Sequence, residues 1–147
     1  MRSKRTLVAA LAIVLPLSAA PAAPAGWKPM TSDGRKCSAM VPGNWGPAVT
    51  GAGMQVPGGR SHAMLNLDSG SMDDFKAMMA TMYRVTKAVE NSPGRYWVEL
   101  AGAKGNNMRE WRLAVPASGG VCTAFIAFDS TLSEADAKTI AMSVKKR

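Results

Sequence analysis

A single histidine, His62, is all the imidazole that this 147-residue chain carries. A Ser-His-Asp relay would have to be built on it, yet no Gly-x-Ser-x-Gly elbow is present. Ser61 adjoins His62, but neighbours on a strand point to opposite faces. Cysteine is equally scarce. Cys37 and Cys122 are the only two, and without Cys-x-x-Cys spacing they lack the setting that makes a thiol pair reactive. Gly51-Ala52-Gly53 and Gly58-Gly59 do not sit between a strand and a helix as a phosphate loop must. Asp73 and Asp74 read as helix-start residues rather than an acid/base pair. The expectation is a non-catalytic protein.

Long apolar runs are missing too. The longest opens the chain at residues 7–17, and these eleven positions are too few to span a bilayer. Arg2, Lys4 and Arg5 precede the run, and small residues fill 18–25. That order reads as a secretory signal peptide over residues 1–25. Ala23-Pro24-Ala25 fits an Ala-x-Ala cleavage pattern, whereas a cut after Ala20 would place Pro21 beside the scissile bond. No cysteine stands at the end of the signal to carry a lipid. Residues 26–147 then form one soluble domain, periplasmic or secreted, able to bury roughly 65% of its unfolded surface.

The formal net charge of +8 includes three cations that leave with the signal. The rest are scattered, apart from the tail Lys145-Lys146-Arg147, and describe a solvated surface rather than a nucleic-acid face. In an oxidising compartment, the pair Cys37 and Cys122 points to one structural disulfide.

Periodicity supplies the elements. After a polar lead-in at 26–35, Cys37, Ala39 and Val41 alternate with polar neighbours up to Pro42-Gly43, a half-buried strand. A short strand fits 54–56. Residues 61–67 alternate again, with Ala63, Leu65 and Leu67 on one face and His62, Met64 and Asn66 on the other. Ser71 can cap a helix whose apolar stripe is Phe75, Met78, Met79 and Met82, and Ser133 begins a second with Ala137, Ile140, Ala141 and Val144.

Between the helices a meander is expected. A two-residue turn at Gly105-Asn106 would place Tyr96, Val98 and Leu100 opposite Val115, Leu113 and Trp111, with Glu99 opposite Arg112 on the other face. Trp97 would share that other face, beneath a helix. A second two-residue turn at Ser118-Gly119 sets Val115, Leu113 and Trp111 against Cys122, Ala124 and Ile126. Residues 121–128 are apolar on both faces and need cover on both. The expected class is α+β, an antiparallel sheet sandwiched by two helices in the order β-β-β-α-β-β-β-α.

With that order in hand, Cys37-Ser38-Ala39-Met40-Val41-Pro42-Gly43-Asn44-Trp45 resembles the opening strand of the PsbP-like superfamily, which ends in Pro-x-x-Trp. Residues 137–144, Ala-Lys-Thr-Ile-Ala-Met-Ser-Val, are similar to its closing helix. The resemblance implies an accessory or binding role in the bacterial envelope. It carries over no catalytic residue and no cofactor, and fold likeness alone goes no further.

Eleven methionines offer a second reading. Thioethers are soft ligands that select Cu(I). His62 and Met64 share the more polar face of one strand, and Met54 on a neighbouring strand could add a third donor. The helical Met78, Met79 and Met82 belong to the core instead, as methionine commonly does. The expected function is thus an exported, non-catalytic binding protein of unidentified partner, with a periplasmic Cu(I)-binding protein using His62, Met64 and Met54 as the alternative.

Overall fold

The computed structural model describes residues 22–49, 53–102 and 105–147. The expected signal peptide falls largely on residues 1–21, outside the described residues. Ten strands and two α-helices follow in chain order: β1 Trp27–Thr31, β2 Cys37–Pro42, β3 Gly46–Pro47, β4 Met54–Gln55, β5 His62–Asp68, α1 Met72–Met82, β6 Val85–Ser92, β7 Arg95–Leu100, β8 Arg109–Ala117, β9 Gly120–Phe128, α2 Glu134–Ser143 and β10 Lys145–Lys146. They build an antiparallel seven-stranded sheet, β3-β4-β5-β9-β8-β7-β6, and a three-stranded sheet, β1-β2-β10.

The α+β class stands, but the large sheet is not covered by helices alone. Phe75 and Met79 of α1 pack on Val98, Leu100, Ala114 and Val121. On the opposite face the small sheet and α2 together close the main core, bringing Cys37, Ala39, Val41, Ile140 and Val144 against Trp97, Trp111, Leu113 and Ile126. The polar lead-in is in part strand β1, whose Met30 is buried. The cationic tail is likewise structural. Lys145 and Lys146 pair with Ser38 and Cys37, and the Arg147 amide donates to the Lys36 carbonyl.

Both helices start where capping chemistry places them. The Ser71 hydroxyl accepts from the Asp74 amide while the Asp74 carboxylate accepts from the Ser71 amide, a reciprocal box. Ser133 accepts from the Asp136 amide in the same way. At the other end of α2, Arg95 donates to the Met142 and Val144 carbonyls, satisfying acceptors that a helix end leaves open.

The β8–β9 hairpin has the expected register. Val115 faces Cys122, Leu113 faces Ala124 and Trp111 faces Ile126 across a Ser118-Gly119 turn in which Gly119 takes φ 80°. The β7–β8 register differs by one residue. Trp97 faces Leu113, Val98 faces Arg112 and Glu99 faces Trp111. A one-residue slip moves every side chain of a strand to the other face. Trp97 and Glu99 therefore join the main core, and Tyr96, Val98 and Leu100 turn toward α1.

Two observations account for that choice. Trp97 buries one of the largest apolar side chains and meets Trp111 edge-to-face, with ring centroids 4.9 Å apart. Glu99 receives a bidentate pair of hydrogen bonds from Arg109, 2.9 Å each, and a third from Trp111 Nε1. Arg109 in turn reaches Glu134 at the start of α2. The expected Glu99–Arg112 pair is replaced by Glu99–Arg109, which ties β7, β8 and α2 together. Hydrogen bonding from Arg109 holds the Glu99 carboxyl below its ordinary range.

Another unexpected strand, β6, runs along the edge of the large sheet. Its register shifts at Val85/Lys87 and Ala88/Glu90 interrupt the ladder, a device that keeps an exposed edge from recruiting another strand.

Candidate functional site

The side chains on the α1 side of the large sheet fall into cross-strand rows. Met64, Phe125, Arg112 and Val98 form one row, and Asn66, Thr123, Ala114 and Tyr96 the next. Helix α1 packs over the Val98 and Tyr96 ends. The β5 and β9 ends stay open, and beside α1 they form a groove of about 500 Å³. Volumes of this order suit a small organic ligand.

Among the described residues Arg112 is the one cation lining the groove. Its guanidinium carbon lies 4.1 Å from the centroid of the Phe125 ring and 5.1 Å from that of Tyr83, a cation held between two π-faces. Among the described residues Arg112 makes no ion pair. Its Nε is buried and finds no acceptor among them. Leaving a buried donor unmatched costs about 1–3 kcal/mol, a cost carried by Nε alone, while the two terminal nitrogens stay open to the groove.

The carboxylates in the groove are already engaged. Asp68 accepts from the Thr123 hydroxyl at 2.7 Å. Asp74 closes the capping box, and its hydrogen bonds from the Ser71 amide and hydroxyl hold it below its ordinary value. The α1 N-terminus is therefore occupied by its own residues.

His62 and Met64 lie on the groove face of β5, as their alternation predicts. The His62 ring meets Phe125 edge-to-face at 5.5 Å, and its Nδ1 is 2.8 Å from the Arg60 carbonyl oxygen. Met54 does not join them. It pairs with Ala63, not with His62 or Met64, so it projects from the opposite face and packs against the main core. Among the described residues no three His, Cys, Asp or Glu side chains are grouped to hold a metal ion. Ser61 is fully buried and bonded to Asp129 and Thr131, while His62 points to the other side of the strand. A serine relay is not assembled.

Cys37 and Cys122 are joined, with Cα atoms 5.6 Å apart. The bond links the small sheet to the large one; β2 does not hydrogen-bond to β9.

The groove escaped sequence reasoning because Arg112 was expected to pair with Glu99. One signal was available: the β8–β9 register alone puts Arg112 opposite Phe125.

No family model matches the sequence, and no curated protein matches it. Its structure is similar to the solution structure of cyanobacterial PsbP (CyanoP) from Synechocystis sp. PCC 6803, with a TM-score of 0.55 at 11% identity, over 88% of this chain and 98% of that one. At that identity the likeness concerns architecture, and in architecture the chain has a PsbP-like fold.

Proposed function

We propose that this chain is a small, exported, non-catalytic accessory protein of the bacterial envelope that binds its partner through the open half of the large sheet. The observation that carries the reading is the groove around Arg112, a guanidinium with no ion pair among the described residues. Export is supported by the basic-apolar-small order of residues 1–25, and the Cys37–Cys122 bond suits an oxidising compartment. Among the described residues no helix is long and apolar enough to cross a membrane. The PsbP-like resemblance points to an accessory role as well.

The test is a titration of the isotope-labelled mature protein with soluble extract of its own envelope. Amide signals of residues 64–68 and 121–125 should shift, and Asn66→Arg, which fills the exposed groove floor, should abolish the shifts. Lys145→Glu, on the small sheet, should leave them intact. Shifts confined to other surfaces would reject the groove as the binding face.

The Cu(I) alternative rests on His62 and Met64, which share a face of β5, without Met54. It predicts copper-dependent thermal stabilisation that His62→Ala removes.

A further inference from the structure

The chemistry of the groove narrows what it can hold. The Arg112 terminal nitrogens make no hydrogen bond among the described residues, and unlike Nε they are not shut in. A guanidinium stacked on a ring keeps its donors in its own plane. With Nε closed off, the two terminal nitrogens present an end-on fork that matches the two oxygens of a carboxylate. The lining is mixed: Met64, Phe75, Met78, Val121 and Phe125 supply apolar surface, and Asn66 and Thr123 in the neighbouring row supply polar groups. A cavity of about 500 Å³ far exceeds what a bare inorganic anion fills.

Charge limits the ligand further. Asp68 lies four residues along β5 from Met64, a rise of about 13 Å, and Asp74 stands at the same end of the groove. A second negative group extending from Arg112 toward α1 would meet both. We infer that the groove is a binding site for an organic monocarboxylate with an apolar body, its carboxylate on Arg112 and its body running from Phe125 toward Val121 and the Phe75 and Met78 side chains of α1. This rests on the groove being the binding face and adds the chemical class of the ligand.

The probe is 2-naphthoate, titrated into the mature protein and followed by amide shifts. Saturable shifts are expected at Met64, Thr123 and Phe125, with the neutral isostere 2-naphthamide binding at least about tenfold more weakly. Naphthalene-2,6-dicarboxylate should also bind more weakly than the monoacid. Arg112→Gln should reduce naphthoate to the affinity of the amide, and Arg112→Lys, which keeps charge without the fork, should fall between.

The comparison of naphthoate with naphthamide on the unmodified protein decides the matter even if an Arg112 variant fails to fold. Equal affinity for the two, no saturation, or shifts away from the groove would overturn the inference. If envelope extract still shifts the groove signals while naphthoate does not bind, the binding face survives and the carboxylate ligand does not. A protein captured through the groove in that case would make the occupant a partner chain.

Discussion

Cys37 and Cys122 hold the middle of the molecule together, their Cα atoms 5.6 Å apart across the gap between two sheets that share no backbone hydrogen bond at that point. Both are fully buried. Their separation of 85 residues means that the bond closes a long loop in the unfolded chain, for which chain entropy gives about 4.5 kcal/mol as an upper figure. The Cys37→Ser/Cys122→Ser double variant should lose about 2–4.5 kcal/mol in denaturant unfolding. An unchanged midpoint would show that the small sheet docks without the bond.

Glu99 makes stability depend on pH. Arg109 lowers its carboxyl from an ordinary value of 4.5, so its stabilisation is complete above that value and is lost as pH falls through the lowered one. Thermal midpoints should drop more steeply on acidification below about 4.5 for the native chain than for Glu99→Gln. At neutral pH that variant should cost about 1 kcal/mol, the low end for a charged pair, because Arg109 is 40% exposed and water screens it.

Gly120 opens β9 at φ 154°, where a Cβ would collide with the Asp68 carbonyl oxygen. Gly120→Ala should destabilise by more than about 1 kcal/mol. Gly94→Ala, with open space around it and no positive φ, should be tolerated. Comparable unfolding midpoints for the two variants would contradict the close approach of β5 to β9.

The Cu(I) reading has a register test. Met54 lies on the far face of β4 from His62 and Met64. If the protein binds Cu(I) through β5, Met54→Leu should leave the affinity unchanged and His62→Ala should lower it, measured by titration under reducing conditions. A loss with Met54→Leu would require another strand pairing.

Export should leave a defined terminus. Sequencing the protein recovered from the envelope fraction should begin at or near Gly26. An intact chain confined to the cytoplasm would refute the secretory reading.

The elements that local chemistry governs were readable from residues alone. Ser71 and Ser133 announce both helices through their caps, and the two-residue Ser118-Gly119 turn pins the β8–β9 register because so short a loop fixes which residues face each other. The β7–β8 connection offers no such constraint. Residues 101–109 separate the paired Leu100 and Glu110, and β7 has apolar groups on both faces, so its pattern cannot say which face goes inward.

Edge position hid other elements. A central strand betrays itself by alternating burial, but β6 is largely exposed and carries polar residues on both sides. Strand β10, two lysines, pairs only through its backbone with β2.

Chain order and composition thus determined the helix starts, the last hairpin, the cysteine pair and the face that His62 and Met64 share. Tertiary packing decided the rest. It chose the β7 face by burying Trp97 on Trp111 and giving Glu99 to Arg109. It also placed α1 over one half of the sheet and left the other bare. The β8–β9 register sets Arg112 against Phe125, but Tyr83 joins them only through the placement of α1, which is not a local property of the chain. A groove built from side chains on β5, α1, β8 and β9 exists only once register and helix placement are set.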